Sequence, residues 1–376
     1  MVKRILVVDP YYGGSHRQWA TGLKKFSRFD ISIIGLPARH WKWRMHGGAI
    51  TLADQFRVLD PLPDLILATD MLDVAAFLGL IRQKSDKLIP VITYFHENQS
   101  AYPKSALDTD YDHRREDHYA FINYTSALAS DKLVFNSQYN KESFLSSLEK
   151  LLSRLPDCTD MNTLDVIRKK SRVIYPGIDT DIFDRQIHQP TSGMPPLVIW
   201  NHRWEYDKNP QLFFMTLEAL KTEKIPFRLA VLGEGKINSP EEFRTAADTF
   251  RDRITHIGFV EDPNDYAKHL LSGDILPVTS YQDFFGISIM EAMYCGCVPM
   301  LPNRVSYPEL IPDTFHETLF YQNDAEFKIK LSRLLTHPRK FARSEMHQIA
   351  TRYSWKSLIG GYDELFQSMI EGNPKP

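Results

Sequence analysis

The segment Asp274–Pro302 reads DILPVTSYQDFFGISIMEAMYCGCVPMLP and decides the fold class. Its apolar start, Ile275–Thr279, predicts a short buried strand, and a loop that contains Gly286 leads into a helical pattern over Ile287–Tyr294. A second apolar run, Val298–Leu301, predicts another buried strand. Strand, loop, helix and strand form the repeating unit of a parallel sheet, in which ligands bind beyond the carboxyl ends of the strands. We therefore expect the loop to face a ligand.

Two acidic residues flank the junction between this loop and the helix. Asp283 precedes the helix and Glu291 lies about one turn inside it, so their carboxylates can accept hydrogen bonds from different hydroxyl groups of one sugar-like ligand. The N–H groups at the predicted helix start, around Phe285, Gly286 and Ile287, can bind sugar or phosphate oxygens. The alternative is a tight turn whose acidic residues only cap a helix.

The order of residues in this segment resembles the donor-binding segment of retaining glycosyltransferases of family 4. In that family a carboxylate, an aromatic-Gly pair, Glu-Ala-Met and a later Gly and Pro recur in the order shown by SYQDFFGISIMEAMYCGCVPML. The first carboxylate of the family is usually Glu, and Asp283 stands in its place here. The resemblance implies an α/β protein of the GT-B fold, with two Rossmann-like, doubly wound domains that face each other across a cleft.

The composition fits a globular chain with two domains. The chain has 376 residues, of which 43% are hydrophobic and 24% charged, enough for two hydrophobic cores. No apolar run approaches the ~18 residues that span a bilayer, and we expect a cytoplasmic protein. The formal net charge is −2, so contact with nucleic acid needs a local basic patch. Cys158, Cys295 and Cys297 lack zinc-like spacing, so we expect neither a disulfide framework nor a structural metal.

Alternating strand and helix patterns predict a doubly wound first domain over residues 1–187. The first strand pattern leads into the loop Asp9–Ser15, in which Gly13 and Gly14 allow a ligand to approach the backbone closely. Ser15 can cap the helix that follows. A simple strand-to-helix turn is the alternative, because the full G-x-G-x-x-G fingerprint is absent.

A polar segment follows the fourth strand pattern of this domain. It reads TYFHENQSAYP, so His96, Glu97 and Asn98 lie where the carboxyl end of a strand meets a loop. A neutral imidazole at that place can contact a ligand. A purely structural role is the alternative for a single histidine.

Basic and aromatic residues alternate in the segment Ala38–Gly48, ARHWKWRMHGG, which we predict to be a loop. Its charges suit phosphate contacts and its indoles suit base stacking, so it is a candidate surface for RNA. Two arginines in the helical pattern Tyr111–Ser130 are further candidates. Tryptophans held in the core, with the charges in water, are the alternative. The candidate residues are Arg39, Trp41, Lys42, Trp43, Arg44, His46, Arg114 and Arg115.

A polar, proline-rich stretch, Gln186–Pro196, predicts the linker to a second domain over residues 188–354. The strand pattern Leu197–Asn201 then runs into HRWEYDKNP, where Arg203 and Lys208 precede a helix and can bind a diphosphate. A unit charge at ~4 Å is worth about 4 kcal/mol at an effective dielectric near 20, against roughly 0.3–1 kcal/mol for a helix dipole. The two cations should therefore dominate. Ordinary surface charge is the alternative.

Three further features of this half bear on the site. Gly233 and Glu234 follow a strand pattern and can shape a nucleotide pocket, or belong to plain core. The last stretch, residues 355–376, predicts a helix, which in the resembling fold packs back on the first domain. The triplets Asp108–Asp110 and Asp179–Asp181 carry oxygen ligands that suit a divalent cation. We expect no metal, because PGIDTDIF resembles a segment of family members that work without one.

Segments of the first half resemble a narrower group, the tRNA-queuosine α-mannosyltransferases. They are PYYGGSHRQW, ARHWKWR, TYFHENQSAYP, INYTSALASDKLVFNSQYNKESFL and IYPGID. The resemblance implies transfer of mannose from GDP-mannose, with retention of configuration, to queuosine at the wobble position of an aspartate tRNA. In that reaction we expect Arg203 and Lys208 to hold the diphosphate, Glu291 the ribose and Asp283 the hexose, while His96 faces the sugar and the acceptor.

Two other functions stay open on these residues alone. A family-4 enzyme with a lipid or polysaccharide acceptor predicts a basic amphipathic helix, and none is obvious. A catalytically lapsed protein that binds a nucleotide sugar or tRNA is the non-enzymatic alternative, because Asp283 replaces the usual Glu.

Overall fold

The structure is a computed structural model that divides into two compact units. Unit 1 comprises Met1–Gly177 and Trp355–Pro376, and unit 2 comprises Ile178–Ser354. The division thus falls before the expected boundary at residues 187 and 188, since Ile178 already forms a parallel bridge with Ser354. The described residues are 2–82, 88–101, 113–157, 160–186, 193–233, 240–337 and 343–372, without the side chains of 113–116.

Unit 1 is built on one parallel sheet, whose six strands in the described residues have the order β2-β1-β3-β4-β5-β6. The strands are β1 (Arg4–Tyr12), β2 (Asp30–Pro37), β3 (Leu65–Thr69), β4 (Val91–Phe95), β5 (Lys132–Phe135) and β6 (Ser171–Val173). The helices, numbered along the whole chain, are α1 (Gly14–Phe26), α2 (Trp41–Arg57), α3 (Val74–Ile81), α4 (His113–Ala129), α5 (Gln138–Leu152), α6 (Asn162–Lys170) and α16 (Trp355–Glu371). The strand order reverses between β1 and β3, so their carboxyl ends form a topological switch point.

Strand β1 shows why the sheet is covered on both faces. Ile5 and Val7 belong to the hydrophobic cluster that includes residues of α1 and α16, whereas Leu6 and Val8 belong to the cluster with α2 and α3. Side chains alternate between the two faces of a strand, so an uninterrupted apolar run has to be buried on both. Each such side chain contributes roughly 1.5–3 kcal/mol when it leaves water.

The last helix, α16, packs within unit 1. The Trp19 indole N–H donates to the Tyr362 hydroxyl at 3.1 Å, and Trp355 is fully buried. Gly22 on α1 lies so close to the Trp355 indole that a Cβ atom there would clash with it. This close approach fixes the contact between the two helices.

Unit 2 is a second parallel sheet, with six strands in its described part in the order β12-β11-β10-β7-β8-β9. The strands are β7 (Leu197–Trp200), β8 (Arg228–Leu232), β9 (Ile254–Gly258), β10 (Ile275–Pro277), β11 (Val298–Pro302) and β12 (Phe320–Tyr321). The helices are α7 (Asp181–Asp184), α8 (Pro210–Thr222), α9 (Glu242–Thr249), α10 (Pro263–Ser272), α11 (Ile287–Tyr294), α12 (Tyr307–Leu310), α13 (His316–Leu319), α14 (Asp324–Thr336) and α15 (Arg343–Thr351). Here the order reverses between β7 and β10, which places the switch point at their carboxyl ends.

The two sheets confirm the predicted α/β, doubly wound fold class, but two local predictions are wrong. The segment predicted as a loop around Trp41 begins helix α2, because Met45, Ala49 and Leu52 repeat at helical spacing and are fully buried. Ser15 does not cap α1. That helix begins at Gly14, and no side-chain hydrogen bond caps it.

No helix in the described part of the chain has the length and hydropathy needed to cross a membrane.

Candidate functional site

Lys208 and Asp283 meet at the switch point of unit 2. Lys208 ends a short 3-10 turn after β7, and Asp283 lies in the loop after β10. The Lys208 Nζ atom lies 3.5 Å from Asp283 Oδ2 and 3.3 Å from Asp207 Oδ2, and it donates to the Gln282 carbonyl at 3.0 Å. The fold thus joins two of the predicted site residues.

The ammonium of Lys208 is buried but stays charged. Its side chain is 9% exposed, and burial by itself would lower its pKa. The negative charges of Asp283 and Asp207 outweigh burial, so the pKa of Lys208 is raised. The site therefore holds a fixed cation in a region of low dielectric, where it acts more strongly than in water.

Arg203 belongs to the same region but is open to solvent. Its side chain is 62% exposed and pairs with Glu205 at 3.2 Å. Its positive charge acts on Lys208 and partly opposes the rise in the pKa of that lysine. The two predicted phosphate-binding cations are therefore close enough to interact, one buried and one exposed.

Gly286 shapes the loop that carries Asp283. Gly286 has a φ of +84° at the start of α11, where an added Cβ atom would lie 2.9 Å from Ile289 Cδ1 and 3.5 Å from Asp283 Oδ2. A side chain there would be both strained and crowded. The same Asp283 oxygen accepts a hydrogen bond from the Tyr307 hydroxyl at 3.3 Å. Phe285 is buried, so the pair of residues before the helix offers its backbone rather than an aromatic ring.

The start of α11 offers backbone donors beside this carboxylate. The N–H groups of Ile289 and Met290 bond back to the Gly286 carbonyl at 3.0 and 3.3 Å. The N–H groups of Ile287 and Ser288 precede these bonds, at the end of the helix where the dipole is positive. Sugar or phosphate oxygens suit this position.

Glu291 is tied to the loop after β7 through a buried network. It is 7% exposed, and its Oε2 accepts a hydrogen bond from the Tyr266 hydroxyl at 2.9 Å. The Asn201 amide donates to the Ser288 carbonyl at 2.7 Å and to the same tyrosine oxygen at 3.4 Å. Burial and then the charge of Glu291 raise the pKa of Tyr266 well above its ordinary value. Arg203, Lys208, Asp283 and Glu291 therefore all follow β7 or β10.

His202 is a part of this site that the sequence analysis did not identify. Its Nδ1 lies 3.1 Å from the Ser288 hydroxyl, in the first turn of α11. Burial and the charge of Lys208 lower its pKa to about 3, so the ring is neutral. Its place beside Arg203, directly after β7, is the signal that could have indicated it.

Gly233 is required by packing near the same loop. Its φ is +120°, and a Cβ atom there would lie 2.8 Å from the His202 carbonyl oxygen and 3.3 Å from Trp204 Nε1. The Trp204 ring stacks on Phe243 with ring centroids 4.6 Å apart. Gly233 thus shapes this wall of the region, while Glu234 lies outside the described residues.

His96 belongs to a cluster of polar side chains at the switch point of unit 1. His16 on α1 stacks on His96 with ring centroids 4.0 Å apart, and its Nδ1 lies 3.2 Å from Asp9 Oδ2 on β1. The other Asp9 oxygen accepts from the Tyr11 N–H at 2.9 Å and from the Thr69 hydroxyl at 3.1 Å. Apart from His96, these residues were not predicted as site residues.

Asp70 completes the cluster. It follows β3 directly, and its Oδ1 accepts the backbone N–H of His96 at 2.9 Å. Burial and then the charge of Glu97 raise the pKa of Asp70 to about 8, although the nearby His16 charge opposes the shift. Burial would lower the pKa of His16, but the charge and hydrogen bond of Asp9 raise it to about 9. Burial and His16 lower the pKa of His96 well below its ordinary value.

The two residues after His96, Glu97 and Asn98, differ in their hydrogen-bond partners. The Glu97 Oε1 accepts from the Gln99 amide at 2.7 Å. Asn98 is fully buried, and its Nδ2 donates to Asn140 Oδ1 at 2.8 Å and to the Ser143 hydroxyl at 3.1 Å. Asn98 therefore holds its loop against α5.

The two glycines after β1 also serve packing. A Cβ atom at Gly13 would lie 2.5 Å from the Ala38 Cβ atom, whereas Gly14 has a φ of +51° and open space around it. Gly13 is thus required by contact with the neighbouring chain segment. Gly14 is the one of the pair beside which a ligand has room.

The basic, aromatic segment divides between core and surface. Trp41 is half-buried against Tyr119, with ring centroids 5.1 Å apart, while Trp43 is 64% exposed. Arg39 is exposed, and Lys42 lies 5.7 Å from the Trp41 ring centroid. One tryptophan thus anchors the start of α2, and the other, like Arg39, is exposed to solvent.

The remaining candidates near this segment have their own contacts. The Arg44 Nε donates to the Pro37 carbonyl at 3.3 Å, and His46 Nδ1 lies 3.2 Å from His118 Nε2. Arg114 and Arg115 lie on α4, but their side chains are outside the description.

The described residues hold no group of three or more His, Cys, Asp or Glu side chains arranged to bind a metal ion. The Asp181 N–H donates to Asp179 Oδ1 at 3.2 Å, so the second acidic triplet stabilises the start of α7. The triplet Asp108–Asp110 lies outside the described residues.

Known proteins share this architecture. Sucrose-phosphate synthase from Thermosynechococcus elongatus superposes with a TM-score of 0.69 and 14% identity, over 99% of this chain and 100% of that one. A glycosyltransferase from Rickettsia africae superposes with a TM-score of 0.67 and 15% identity, over 99% and 100%. Residues 183–352 match the family described as glycosyl transferases group 1. The molecule is therefore a glycosyltransferase with the predicted GT-B fold.

The first half and the whole chain give the narrower assignment. Residues 4–178 match the family described as tRNA-queuosine alpha-mannosyltransferase N-terminal. The tRNA-queuosine alpha-mannosyltransferase of Drosophila melanogaster is 32% identical in an alignment of 387 positions, gaps included, that covers 97% of each chain. This chain belongs to the tRNA-queuosine alpha-mannosyltransferase family.

Proposed function

We propose that this enzyme transfers mannose from GDP-mannose, with retention of configuration, to queuosine at the wobble position of an aspartate tRNA. The observation that carries the proposal is the full-length similarity to a relative whose name states the same acceptor and sugar. The pairing of Lys208 with Asp283 at a switch point supports a donor site in unit 2. A tRNA acceptor also fits the cytoplasmic location expected from the sequence.

The donor is bound by groups of unit 2 with complementary chemistry. Lys208 and Arg203 bind the diphosphate and stabilise the charge that develops as the nucleotide leaves. Glu291 binds the ribose, and Asp283 binds hexose hydroxyl groups together with the backbone at Gly286. The Lys208 ammonium has three N–H donors, and its contacts with Asp207 and Asp283 are long, so a phosphate oxygen can take one of them.

Retention follows if the acceptor hydroxyl attacks the face from which the diphosphate departs. An oxygen of the departing phosphate accepts the proton of that hydroxyl, and the new C–O bond forms as the old one breaks. No second carboxylate has to act as a nucleophile, unlike the usual scheme of retaining glycosidases.

The surface around Trp43 is the proposed contact for the tRNA backbone and bases. An exposed indole can stack on an unpaired base, and neighbouring cations can contact phosphates. With a net charge of −2 on the chain, such a local patch has to supply the attraction. The tRNA affinity should therefore fall steeply as the salt concentration rises. Lys42→Ala should reduce the slope of log affinity against log salt concentration by about one, whereas the control Lys169→Ala, on α6, should leave this slope unchanged.

The direct test is transfer of radiolabel from GDP-mannose to tRNA that contains or lacks queuosine. The proposal predicts label only in queuosine-containing tRNA, and a product that an α-mannosidase cleaves. Label in both tRNAs contradicts the acceptor, and β-linked product contradicts retention. Binding of both substrates without turnover indicates a lapsed enzyme.

Arg203→Ala tests the donor site in the same assay. Loss of its contact with the diphosphate should lower turnover at least about tenfold, or ~1.4 kcal/mol. The matched control is Arg244→Ala, since Arg244 is also exposed and also pairs with a nearby glutamate at 3.2 Å. Equal kinetics for the two variants would remove Arg203 from the proposed role.

A further inference from the structure

The switch point of unit 1 contains a carboxyl group that the proposed reaction has not yet used. Asp70 directly follows β3, next to β1, and these are the two strands between which the order of the sheet reverses. In doubly wound sheets ligands bind beyond the carboxyl ends of strands at this place. Asp70 is 1% exposed, so its position is fixed by the surrounding fold.

Two polar atoms of this cluster have no hydrogen-bond partner among the described residues. Asp70 Oδ2 and His96 Nε2 are buried, and neither has a hydrogen-bond partner within the described part of the chain. Each such atom costs roughly 1–3 kcal/mol, and folded proteins rarely leave one unsatisfied. The two residues are neighbours, since Asp70 Oδ1 accepts the His96 N–H at 2.9 Å. A ligand that binds at this edge of the sheet can supply the missing partners.

The groups packed around these two residues bond to one another. Asp9 pairs with His16 at 3.2 Å and accepts two further hydrogen bonds, from the Tyr11 N–H and the Thr69 hydroxyl. The His16 ring in turn stacks on His96. The unsatisfied atoms are therefore the part of a rigid cluster that remains for a ligand.

The charge state of the cluster selects the kind of ligand. The positive charge of His16 is matched by Asp9, His96 is neutral, and burial favours the un-ionised acid form of Asp70. With Oδ1 occupied as an acceptor, the acid proton lies on Oδ2 and can be donated. A neutral acid beside a neutral imidazole suits hydroxyl groups, which both donate and accept, better than phosphate.

We propose that Asp70 and His96 form a subsite for the hydroxyl groups of the acceptor's cyclopentenediol. The inference rests on the proposed function and names the residues of unit 1 that recognise the acceptor. The acceptor is favoured over the donor because the cluster lies within residues 4–178, the part that matches the tRNA-queuosine family. The general glycosyltransferase match begins only at residue 183.

The test compares Asp70→Ala, Asp70→Asn and the control Thr93→Val. Asp70→Ala removes the proposed donor, and it should raise the KM for queuosine-containing tRNA at least about tenfold while the KM for GDP-mannose stays unchanged. Asp70→Asn keeps an acceptor for the His96 N–H and a donor at the other position, so it should recover most of the loss. Thr93→Val alters a fully buried threonine of β4 whose hydroxyl bonds to Ser130 outside the cluster, and it should leave both KM values unchanged.

A binding measurement separates recognition from structural damage. The wild-type chain should bind queuosine-containing tRNA more tightly than tRNA without queuosine, and Asp70→Ala should bring this ratio close to one. A merely structural role would weaken both affinities together. The subsite is refuted if the ratio survives in Asp70→Ala, or if the KM for GDP-mannose rises instead. If the wild-type chain itself transfers nothing to queuosine-containing tRNA, the proposed function fails, and the subsite with it.

Discussion

The ion pair between Asp9 and His16 should control how the stability of unit 1 depends on pH. Both side chains are buried, and their closest atoms are 3.2 Å apart. Burial opposes protonation of His16, but the charge and hydrogen bond of Asp9 raise its pKa from 6.5 to about 9. Between pH 6.5 and about 9, His16 therefore keeps its proton in the folded chain and loses it in the unfolded chain.

The sign and size of the effect follow from linkage. A pKa raised in the folded state gives stability that is complete below pH 6.5 and is lost as the pH rises to about 9. Each unit of pKa shift is worth 1.36 kcal/mol, so the pair contributes about 3 kcal/mol below pH 6.5. The raised pKa of Asp70 also lowers the stability of the folded state as the pH rises, here from 3.8 to about 8.

Asp9→Asn isolates the contribution of the pair. The introduced amide keeps an acceptor for the Tyr11 and Thr69 donors and can donate to His16, but it carries no charge. We expect the variant to be less stable than wild type by about 3 kcal/mol near pH 6, and the difference to vanish above about pH 9. Asp30→Asn, at the exposed start of β2, should show no such pH dependence.

The assay is hydrogen exchange of β1 and β3 peptides in urea, which reports the unfolding free energy of unit 1 by itself. A direct pKa of His16 comes from NMR titration of its ring signals, assigned with the His16→Gln variant. A stability difference between wild type and Asp9→Asn that stays constant from about pH 6 to 9.5, or a His16 pKa at or below 6.5, would contradict a stabilising ion pair.

Three further substitutions test the packing and charges of the two units. Lys208→Met leaves the buried Asp207 and the partly buried Asp283 without their cation, so turnover should fall at least about tenfold and urea unfolding should show a loss of roughly 3–5 kcal/mol; unchanged stability would contradict the role of this cation. Gly286→Ala forces a side chain into a left-handed backbone and should cost about 1–2 kcal/mol with a higher KM for GDP-mannose; a stable variant with normal KM would contradict this. Gly22→Ala pushes against the α16 indole and should lower stability by roughly 1–3 kcal/mol in thermal melts, whereas Gly79→Ala, which has open space, should not.

Much of the fold was predictable because local sequence patterns indicate its helices and strands. The helix expected over Ile287–Tyr294 has these bounds in the structure, with buried strands before and after it. Apolar runs between glycine-containing loops are sufficient for such assignments, since both faces of a parallel sheet are covered. The strand expected to reach Thr279 ends at Pro277, an error of the size usual for element ends.

The error at α2 shows where local patterns mislead. Gly47 and Gly48 indicate a loop when only propensity is considered. In the structure a Cβ atom at Gly48 would lie 2.8 Å from Pro10 Cβ, so this glycine allows the helix to approach β1. A contact between helix and strand overrode the propensity, and the helical spacing of Met45, Ala49 and Leu52 was the local signal that favoured a helix.

The sequence did not predict Asp9, His16 and Asp70 as site residues, for a related reason. Asp9, His16 and Asp70 form no short pattern, and they become a cluster only because β3 lies next to β1 in the sheet. Strand order is a non-local property that periodicity does not encode. Lys208 and Asp283 are also distant, at 75 residues apart, but each lies in a segment that resembles a known family and was therefore predicted.

The two units use the same topological device with different chemistry. Each sheet reverses its strand order once, and each reversal places polar side chains at the ends of two adjacent strands. In unit 2 these side chains include the two cations, which suit a diphosphate and so any nucleotide sugar. In unit 1 the charges are paired internally and neutral groups remain, which suit hydroxyl groups. Because the general family matches unit 2 and the queuosine family matches unit 1, we expect exchange of the unit 1 cluster to change the acceptor before it changes the donor.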